Sequence, residues 1–531
     1  MMTLEQKIGQ FFFPAVFIND TEENIQATEA LIRKHNIGGL TFFHSRASAA
    51  TNYESKQKVV SYDDSYSKLK ELITRYQKCA TTPLLMSIDA EWGLAMRIEK
   101  TPQYPYAITL GALPETEIRL VYEVGKQIGL DLKAAGIQYN LAPLADINNN
   151  PDNPVIGYRS FGQNKEKVAL FANAYLKGMT DAGILGCLKH FPGHGNTNVD
   201  SHLGLPILNE NLEQLMSNEL YPFIKGIENK VDSIMIGHLA VPALNEGHNT
   251  SATLSKHIII DLLRNQLGFE GLVISDALNM KSVSDLYQIK GQLEWEAFNA
   301  GNDVLCFAEN VAEGIQTILK NATPKRIEES FERIWKCKEK VGILNHTNTL
   351  PDLNTTSVDF SISTNLNRKI AENCLTQVLS DTHPSRIQEA NQTNSLAQLS
   401  IYNDGFATKV AQSLPAPIFS IIAGNAIACK ETINAYDTIV ISLFVPKAKP
   451  MNQFEIETEV LQFIGKLLAT KNCVLYVFGN PYALQVIPNL ALAKEIVMAY
   501  QDFEVFQDAA AQQLVHNLPC SGLLPVFIKN I

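Results

Sequence analysis

The sequence predicts an α/β protein in which an N-terminal (β/α)8 barrel of the TIM type precedes a smaller α/β/α sandwich domain. Three observations support this prediction. The first two-thirds of the 531 residues alternate eight short apolar runs with amphipathic stretches, several runs end in ionisable residues, and the alternation resumes after a polar segment. Strand and helix in steady alternation are typical of parallel strands joined by crossover helices, and eight such units fit a (β/α)8 barrel.

The eight predicted barrel strands lie, in chain order, in IGQFFFPAVF, IGGLTFF, PLLMSIDA, IQYNLAPLADI, ILGCLKHF, VDSIMIGHLAV, GLVISDA and NDVLCF. Helical patterns lie between most of them, for example over residues 21–36 and 256–268. Strands three to seven end in polar side chains: Asp89, Asp146, Lys189 with His190, His238 and Asp276. Because the strand ends of such a barrel converge on one face, we expect an active site there.

Composition predicts the domain boundaries. Residues 1–344 form the predicted catalytic barrel, and residues 345–365 are rich in Asn, Thr and Ser, as is typical of a linker. Residues 366–531 return to strand and helix patterns, so we expect a second, open-sheet α/β domain there. That region holds neither a G-x-G-x-x-G nor a P-loop motif, so nothing in its sequence supports nucleotide binding.

Net charge and cysteine content limit the classes of binding partner and the cellular compartments that we expect for this protein. The net charge of −11 disfavours nucleic acid, and no run of about 18 apolar residues predicts a membrane span. No signal peptide is visible at the N-terminus, where Thr3 and Gln6 match a helix-opening capping box. The eight cysteines are scattered without a CxxC pair, so we expect reduced thiols and a cytoplasmic location. A periplasmic or secreted location is the alternative if a leader was removed.

The stretch KHFPGHGNTNVDSH, residues 189–202, concentrates three of the 11 histidines in 14 residues. Its His190, His194, His202 and Asp200 have the side-chain types of metal ligands. However, a proline and a glycine between the first two histidines break the helix that would place both imidazoles on one face. We therefore predict no metal site, and a wet, polar loop is the simplest alternative.

Two aspartates and one histidine suit acid/base and nucleophilic chemistry. Asp200 and His202 lie two residues apart, so in an extended loop both side chains point the same way. The carboxylate can then orient the imidazole and stabilise its protonated form, although two solvated loop residues remain the plainer interpretation. Asp276 ends an apolar strand, where it could cap a helix or supply the nucleophile of a retaining glycosidase.

These stretches resemble glycoside hydrolase family 3, and within it the bacterial β-N-acetylglucosaminidases. The resemblance rests on SIDAEWG (87–93), LAPLADINNNPDNPVIGYRSFG (141–162), KHFPGHGNTNVDSH, MIGHLAVP (235–242) and LGFEGLVISDALNM (267–280). Together they cover the first predicted domain in order. The second predicted domain is similar to the α/β sandwich that often follows the barrel in this family, and SGLLPV (521–526) is similar to its usual ending.

The resemblance implies that Asp276 is the nucleophile and that His202, supported by Asp200, is the acid/base. It also implies a set of side chains that bind sugar hydroxyls: Asp89, Arg159, Lys189 and His190. The implied protein is a retaining exo-β-N-acetylglucosaminidase that needs no cofactor. Its expected partners are small GlcNAc-containing glycosides or muropeptides derived from peptidoglycan, and neither nucleic acid nor a membrane.

Three alternatives stay open: a β-glucosidase or β-xylosidase of the same family, a metal-dependent hydrolase using the histidine cluster, and a carbohydrate-binding protein on a degenerate barrel. Two positions depart from the family pattern. Trp92 stands where the first of two glycines is usual, which leaves the shape of the sugar pocket open. Asn196 stands where aspartate is usual and removes no proposed catalytic group. A histidine acid is neutral after proton transfer and repels an anionic acceptor less, so phosphorolysis beside hydrolysis is a further hypothesis.

Overall fold

The computed structural model describes residues 2–45, 64–197, 204–345, 350–354, 358–380, 385–425 and 427–529. By internal contacts the chain divides into two units. The first comprises Met1–Tyr104, Val121–Ile147 and Val168–Phe360, and the second comprises Pro105–Leu120, Asn148–Lys167 and Ser361–Ile531. Two segments of the predicted barrel domain therefore cluster with the C-terminal part of the chain. The predicted domain and linker boundaries themselves stay predictions.

The first unit is built on short parallel strands whose residues are buried, except for the partly exposed Ala15. Their bounds are β1 Phe12–Phe13, β2 Ala15–Phe17, β3 Gly39–Phe43, β4 Leu85–Ile88, β5 Tyr139–Asn140, β6 Cys187–Phe191, β7 Ser233–Ile236, β8 Leu272–Ser275 and β9 Leu305–Cys306. Pro14, which has no N–H to donate, separates β1 from β2. This near-continuous burial is typical of parallel strands covered on both faces.

The strands of the first unit pair in three groups: β1 with β9, then β2-β3-β4-β5, then β6-β7-β8. Isolated parallel bridges add three further links, namely Tyr139 with Leu185, Leu144 with Lys189, and Ile274 with Val304. The predicted α/β class with parallel pairing is thus confirmed, and the pairings fit a barrel-like unit.

Helices lie between the strands, as the sequence predicts. Their bounds are Leu4–Gly9, Glu22–His35, Ser65–Cys79, Ile118–Ala135, Lys165–Ala182, Leu212–Ser217, Tyr221–Glu228, Lys281–Ser284, Gln292–Ala300, Val311–Asn321 and Pro324–Lys340, with a π-helix at His257–Gln266. The predicted capping box is present, because Thr3 and Gln6 satisfy each other's backbone N–H groups. In the part of the chain that the structure describes, no helix is both long and apolar enough to traverse a bilayer.

The second unit contains a six-stranded sheet in the order β10-β15-β14-β13-β11-β12. The strands are β10 Thr376–Ser380, β11 Leu396–Ile401, β12 Ile418–Ile421, β13 Thr438–Phe444, β14 Asn472–Phe478 and β15 Glu495–Met498, and only β10 runs antiparallel to its neighbour. The helices of this unit are Ala107–Leu110, Ser361–Cys374, Ser385–Gln392, Gly405–Ala411, Thr458–Thr470 and Glu504–His516. The rings of Phe444 and Phe478 stack at 4.3 Å in its core.

One helix prediction in this unit is wrong in its second half. The sequence RKIAENCLTQVL, residues 368–379, predicts a helix throughout, but the helix ends at Cys374 and Thr376–Ser380 forms β10. The TQVL part carries the β-branched residues Thr376 and Val378, which favour strands. Thr376 also pairs with Met498 of the antiparallel strand β15. This pairing between distant parts of the chain stabilises a strand where the local pattern favours a helix.

Candidate active site

Two of the predicted sugar-binding side chains meet in an ion pair. Asp89 directly follows β4, and Lys189 lies within β6. The ammonium of Lys189 donates to Asp89 Oδ1 at 2.9 Å and lies 2.8 Å from Glu91 Oε1. Its side chain is only 2% exposed. Two carboxylates that follow β4 therefore fix the position of a buried cation of β6.

A second cation completes this cluster. The Arg97 guanidinium donates to Asp89 Oδ2 at 3.0 Å and stacks over the ring of Phe43 at 3.9 Å. Burial on its own would raise the pKa of Asp89, but Lys189 and Arg97 together hold that pKa well below its usual range. Asp89 is thus an anion at any physiological pH, able to accept hydrogen bonds from sugar hydroxyls.

The histidine that follows Lys189 is oriented by a buried carboxylate. Asp146, with no exposed surface, accepts from the His190 backbone N–H at 3.1 Å and lies 2.7 Å from His190 Nδ1. Burial opposes ionisation of Asp146, but His190 and His194 lower its pKa. Because Asp146 occupies Nδ1, the other ring nitrogen of His190, Nε2, is the one that could form a hydrogen bond with a ligand oxygen. The Lys189–His190 peptide bond is cis.

His194 has a different environment, although it lies only four residues further on. Its backbone N–H donates to Asp146 Oδ1 at 2.7 Å, and its Nδ1 lies 2.7 Å from Thr197 Oγ1. Burial, with the nearby charge of His190, lowers the pKa of His194 to about 4. His194 is therefore neutral at neutral pH, and it helps to hold the loop rather than to donate protons.

Asp276, the predicted nucleophile, is the first residue after β8 and is partly exposed. Its backbone N–H donates to Ile236 O at 2.9 Å, and its Oδ1 accepts from Ala277 N at 2.7 Å. His238, two residues after the end of β7, uses both ring nitrogens within the fold, on Thr253 Oγ1 at 2.8 Å and on Ala277 O at 2.9 Å. His238 thus supports the segment that carries Asp276.

The charges of Asp276 and Asp89 both act on one buried thiol, that of Cys306. Burial raises the pKa of the Cys306 thiol in β9, the Thr41 hydroxyl opposes that rise, and the charges of both Asp89 and Asp276 add to it. The charge of Asp276 also raises the pKa of His194 against the effect of burial. The charge of Asp276 therefore influences both the Cys306 thiol and the His194 imidazole.

Three further site residues were predicted from the sequence. Asp200 and His202, the predicted acid/base pair, lie outside the described residues and stay predictions. Arg159 belongs to the second unit, in the short turn Gly157–Arg159, and donates to Val155 O at 3.1 Å. Its predicted role in binding sugar stays a prediction.

The two departures from the family pattern have distinct surroundings. Trp92 is partly exposed, whereas a Cβ at the following Gly93, where φ is +94°, would lie 2.9 Å from Pro102 O. Only the second position of this pair therefore requires glycine. Asn196 donates to the carboxylate of Glu210, a contact that joins the two flanks of residues 198–203.

Sequence reasoning missed the charged partners Glu91 and Arg97. Glu91 stands in the SIDAEWG stretch, so its presence was visible, but its contact with a lysine far along the chain requires the fold. As for metal ions, no group of three or more His, Cys, Asp or Glu side chains suited to holding one occurs among the described residues. His202 and Asp200, on which the metal alternative depends, lie outside that range.

The sequence of this chain matches a known protein family. Residues 3–337 match the family model described as the glycosyl hydrolase family 3 N terminal domain. This match places the protein among the glycoside hydrolases. More narrowly, the chain belongs to glycosyl hydrolase family 3.

Several relatives are similar to parts or all of the chain. Beta-hexosaminidase A of Pseudoalteromonas piscicida is 34% identical over 340 residues, which are 59% of this chain and 54% of that protein. A beta-hexosaminidase of Xylella fastidiosa strain M12 is 34% identical over 48% of this chain and 76% of its own length. The chain thus spans about half the length of the first relative.

One solved structure is similar over both units. The glycoside hydrolase family 3 beta-N-acetylglucosaminidase from Paenibacillus sp. str. FPU-7 matches with a TM-score of 0.79 at 25% identity. The match covers 99% of each chain.

Proposed function

We propose that this chain is a retaining exo-β-N-acetylglucosaminidase that removes terminal β-linked GlcNAc, with peptidoglycan-derived fragments as natural substrates. The observation that carries the proposal is the carboxylate of Asp276 directly after β8, in the same unit of parallel strands in which the Asp89–Lys189 ion pair joins the end of β4 to β6. A retaining glycosidase needs such an anion beside groups that grip the sugar. The names of the relatives supply the choice of sugar.

The proposed reaction is a double displacement. Asp276 attacks the anomeric carbon while His202, held by Asp200, protonates the departing oxygen, and a covalent glycosyl–enzyme forms. Water that His202 deprotonates then releases the sugar with its configuration retained. The hydroxyl-binding side chains are Asp89, Lys189, His190 through Nε2, and Arg159. Phosphate in place of water would give phosphorolysis, which stays a prediction.

We also propose a closed (β/α)8 barrel for the first unit and an α/β/α sandwich for the second. The pairings and isolated bridges run from β2 to β9, β9 pairs with β1, and β1 continues into β2 across Pro14, which supports closure. We propose a cytoplasmic location because all eight cysteines are free thiols and five of them are buried.

The first prediction concerns the sugar and the nucleophile. The full chain should hydrolyse 4-nitrophenyl β-N-acetylglucosaminide with a kcat/KM at least ~10²-fold above that for the β-glucoside or β-xyloside, because pocket hydrogen bonds discriminate strongly. Asp276→Asn should lower kcat by roughly 10³-fold or more. Its thermal midpoint should stay unchanged, and Asp285→Asn, an exposed carboxylate on the following loop, should retain activity within about twofold.

Two outcomes would contradict this proposal. Preference for the glucoside or xyloside would favour the related family activities. Loss of turnover on chelation, with recovery on adding Zn²⁺, would favour the metal-dependent hydrolase. NMR detection of the β-anomer as the first product would separate retention from inversion.

The second prediction concerns the proton donor. His202→Ala should lower kcat/KM by about 10²–10⁴-fold on a methyl glycoside, whose leaving group needs protonation. The loss on a dinitrophenyl glycoside should be much smaller, because that leaving group departs as an anion. An equal loss on both substrates would rule out the acid role for His202.

A further inference from the structure

A cationic cleft lies at the strand-start end of the first unit. It has a volume of about 500 Å³ and is formed around the beginnings of β7 and β8 and the helix Pro324–Lys340. Its walls include apolar side chains such as Phe269 and Leu272. Six charged side chains line this basic cleft: the cations Lys230, Arg333, Lys336 and Lys340, and the carboxylates Asp232 and Glu270.

The cations of the basic cleft outnumber the available carboxylates. Lys340 forms an ion pair with Asp232, which accounts for one of the two acids. Lys230 and Lys336 are exposed and have no ion-pair partner within the described parts of the chain. Glu270 is the one remaining carboxylate of the lining. The surface of the basic cleft therefore carries an excess of positive charge that is accessible to solvent.

The wall behind the cleft adds to this surplus. Three arginines share one buried carboxylate, Asp303, at distances of 2.6 Å from Arg264, 3.4 Å from Arg326 and 3.0 Å from Arg333. Arg264 also donates to the backbone carbonyls of Phe269 and Gly271, which line the cleft. Burial, with repulsion from the other two guanidinium groups, lowers the pKa of Arg264 to about 10. A single carboxylate therefore leaves three neighbouring cations incompletely neutralised.

The basic cleft is separate from the candidate active site. Leu272 lines it at the start of β8, and Asp276 follows the other end of the same strand. Four extended residues span about 13 Å. A ligand in the cleft would therefore not contact the carboxylate proposed as nucleophile.

We propose that the basic cleft binds a phosphate-type oxyanion, as free phosphate or as the phosphate group of a small phosphomonoester. Lysine ammonium and arginine guanidinium groups form charge-assisted hydrogen bonds with phosphate oxygens, and Arg333 can present its planar fork from the wall. The volume exceeds that of phosphate alone, so the apolar lining could contact the organic part of a monoester. This inference does not depend on the proposed glycosidase activity.

The test measures binding by titration calorimetry at constant ionic strength, with chloride as the balancing anion because salt screens such contacts. The probes are inorganic phosphate, glucose 6-phosphate and glucose. The test variant is Lys230→Glu/Lys336→Glu. The matched control is Lys34→Glu/Lys320→Glu, which makes the same change of net charge at two exposed lysines outside the cleft.

Wild type and control should bind phosphate and glucose 6-phosphate, and the test variant should bind both at least about tenfold more weakly. Glucose should not bind in the cleft. Tighter binding of glucose 6-phosphate than of phosphate would identify a monoester site, and equal affinity would identify a site for the phosphate group alone. Absence of binding by both anions, or equal affinity in test variant and wild type, would overturn the proposal. An unchanged thermal midpoint of the test variant would verify its fold.

Discussion

At the scale of single residues, the ammonium of Lys189 lies between Asp89 and Glu91. A buried lysine with two carboxylate partners has little freedom to move, so its donors keep a fixed direction. If Lys189 binds the sugar as proposed, Glu91 acts as a positioning residue through its ion pair with that lysine. Arg97 plays the corresponding part for Asp89.

The third prediction tests this coupling by a double-mutant cycle. Glu91→Gln should lower kcat/KM about 10–100-fold, mainly through a higher KM, because a charge-assisted bond that fixes Lys189 is weakened. In a Lys189→Met background the same change should have less than about a twofold effect, since there is no ammonium left to position. Equal losses in both backgrounds would show that Glu91 does not act through Lys189. Asp181→Asn, in an exposed ion pair, is the matched control.

The sequence allowed part of the site to be predicted at this scale. Asp89, Lys189 and Asp276 follow or end apolar runs, and these positions indicate strand ends directly. The ion pair between Glu91 and Lys189 could not be predicted from the sequence, because no local pattern encodes a contact between residues so far apart in the chain. The sequence identified Asp146 as a polar residue at a strand end. Its hydrogen bond with His190 could not be predicted, because that bond depends on the backbone geometry around both residues.

At the scale of elements, the helix Pro324–Lys340 carries a buried lysine that has no carboxylate partner among the described residues. The Lys338 ammonium donates to Gln10 Oε1 at 2.6 Å and to Pro83 O at 2.7 Å, and thereby joins this helix to the N-terminal part of the first unit. Burial lowers the pKa of Lys338 to about 7. Between about pH 7 and the usual lysine pKa of 10.5, the unfolded chain therefore binds more protons at this residue than the folded chain does.

The fourth prediction follows from that difference. The contribution of Lys338 to the free energy of unfolding should rise with pH between about 7 and 10, at a slope approaching 1.4 kcal/mol per pH unit for one proton. Lys338→Met should remove this slope, although two acceptors lose their donor. Denaturant unfolding at several pH values measures it, with the exposed Lys325→Met on the same helix as control. An unchanged pH slope in the Lys338 variant would contradict the lowered pKa.

Elements differ in how far the sequence determines them. The stretch IGGLTFF predicts a strand and contains β3, and residues 21–36 contain the helix Glu22–His35 with the Thr21 side chain at its N-cap. These signals are local, being apolar runs and caps. β10 was predicted as helix because it follows one without a turn signal, and its identity as a strand comes from β15, far along the chain.

At the scale of the whole molecule, two early segments cluster with the C-terminal part of the chain. Residues 105–120 and 148–167 belong to the second unit. Backbone bonds within that unit join them to its last residues, from Leu523 N to Ala112 O at 2.8 Å and from Gln163 N to Pro525 O at 3.0 Å. No local pattern in the sequence predicts these hydrogen bonds, because the bonded residues lie far apart along the chain.

The fifth prediction is that the chain does not divide cleanly after the first predicted domain. A protein ending at residue 360 lacks the partners of both segments, so its thermal midpoint should fall by at least roughly 10 °C or its unfolding should lose cooperativity. Calorimetry on purified full-length and shortened chains measures this. A monomeric shortened chain with the full-length midpoint would disprove it.

A point substitution probes the same contacts in the intact chain. A Cβ at Gly162, where φ is +136°, would lie 2.4 Å from Pro525 O. Gly162→Ala should therefore destabilise the second unit. Gly247→Ala, at a position with φ of +85° and open space around it, controls for the backbone strain alone.

The pairing of β1 with β9 has a consequence for how the protein is made. Phe12 and Phe13 leave the ribosome well before their partners Leu305 and Cys306, which follow only after most of the first unit has been translated. At common synthesis speeds this delay is on the order of 15–60 s. During that interval these two aromatic side chains lack their strand partners. We therefore expect the nascent protein to expose a hydrophobic segment that chaperones can bind.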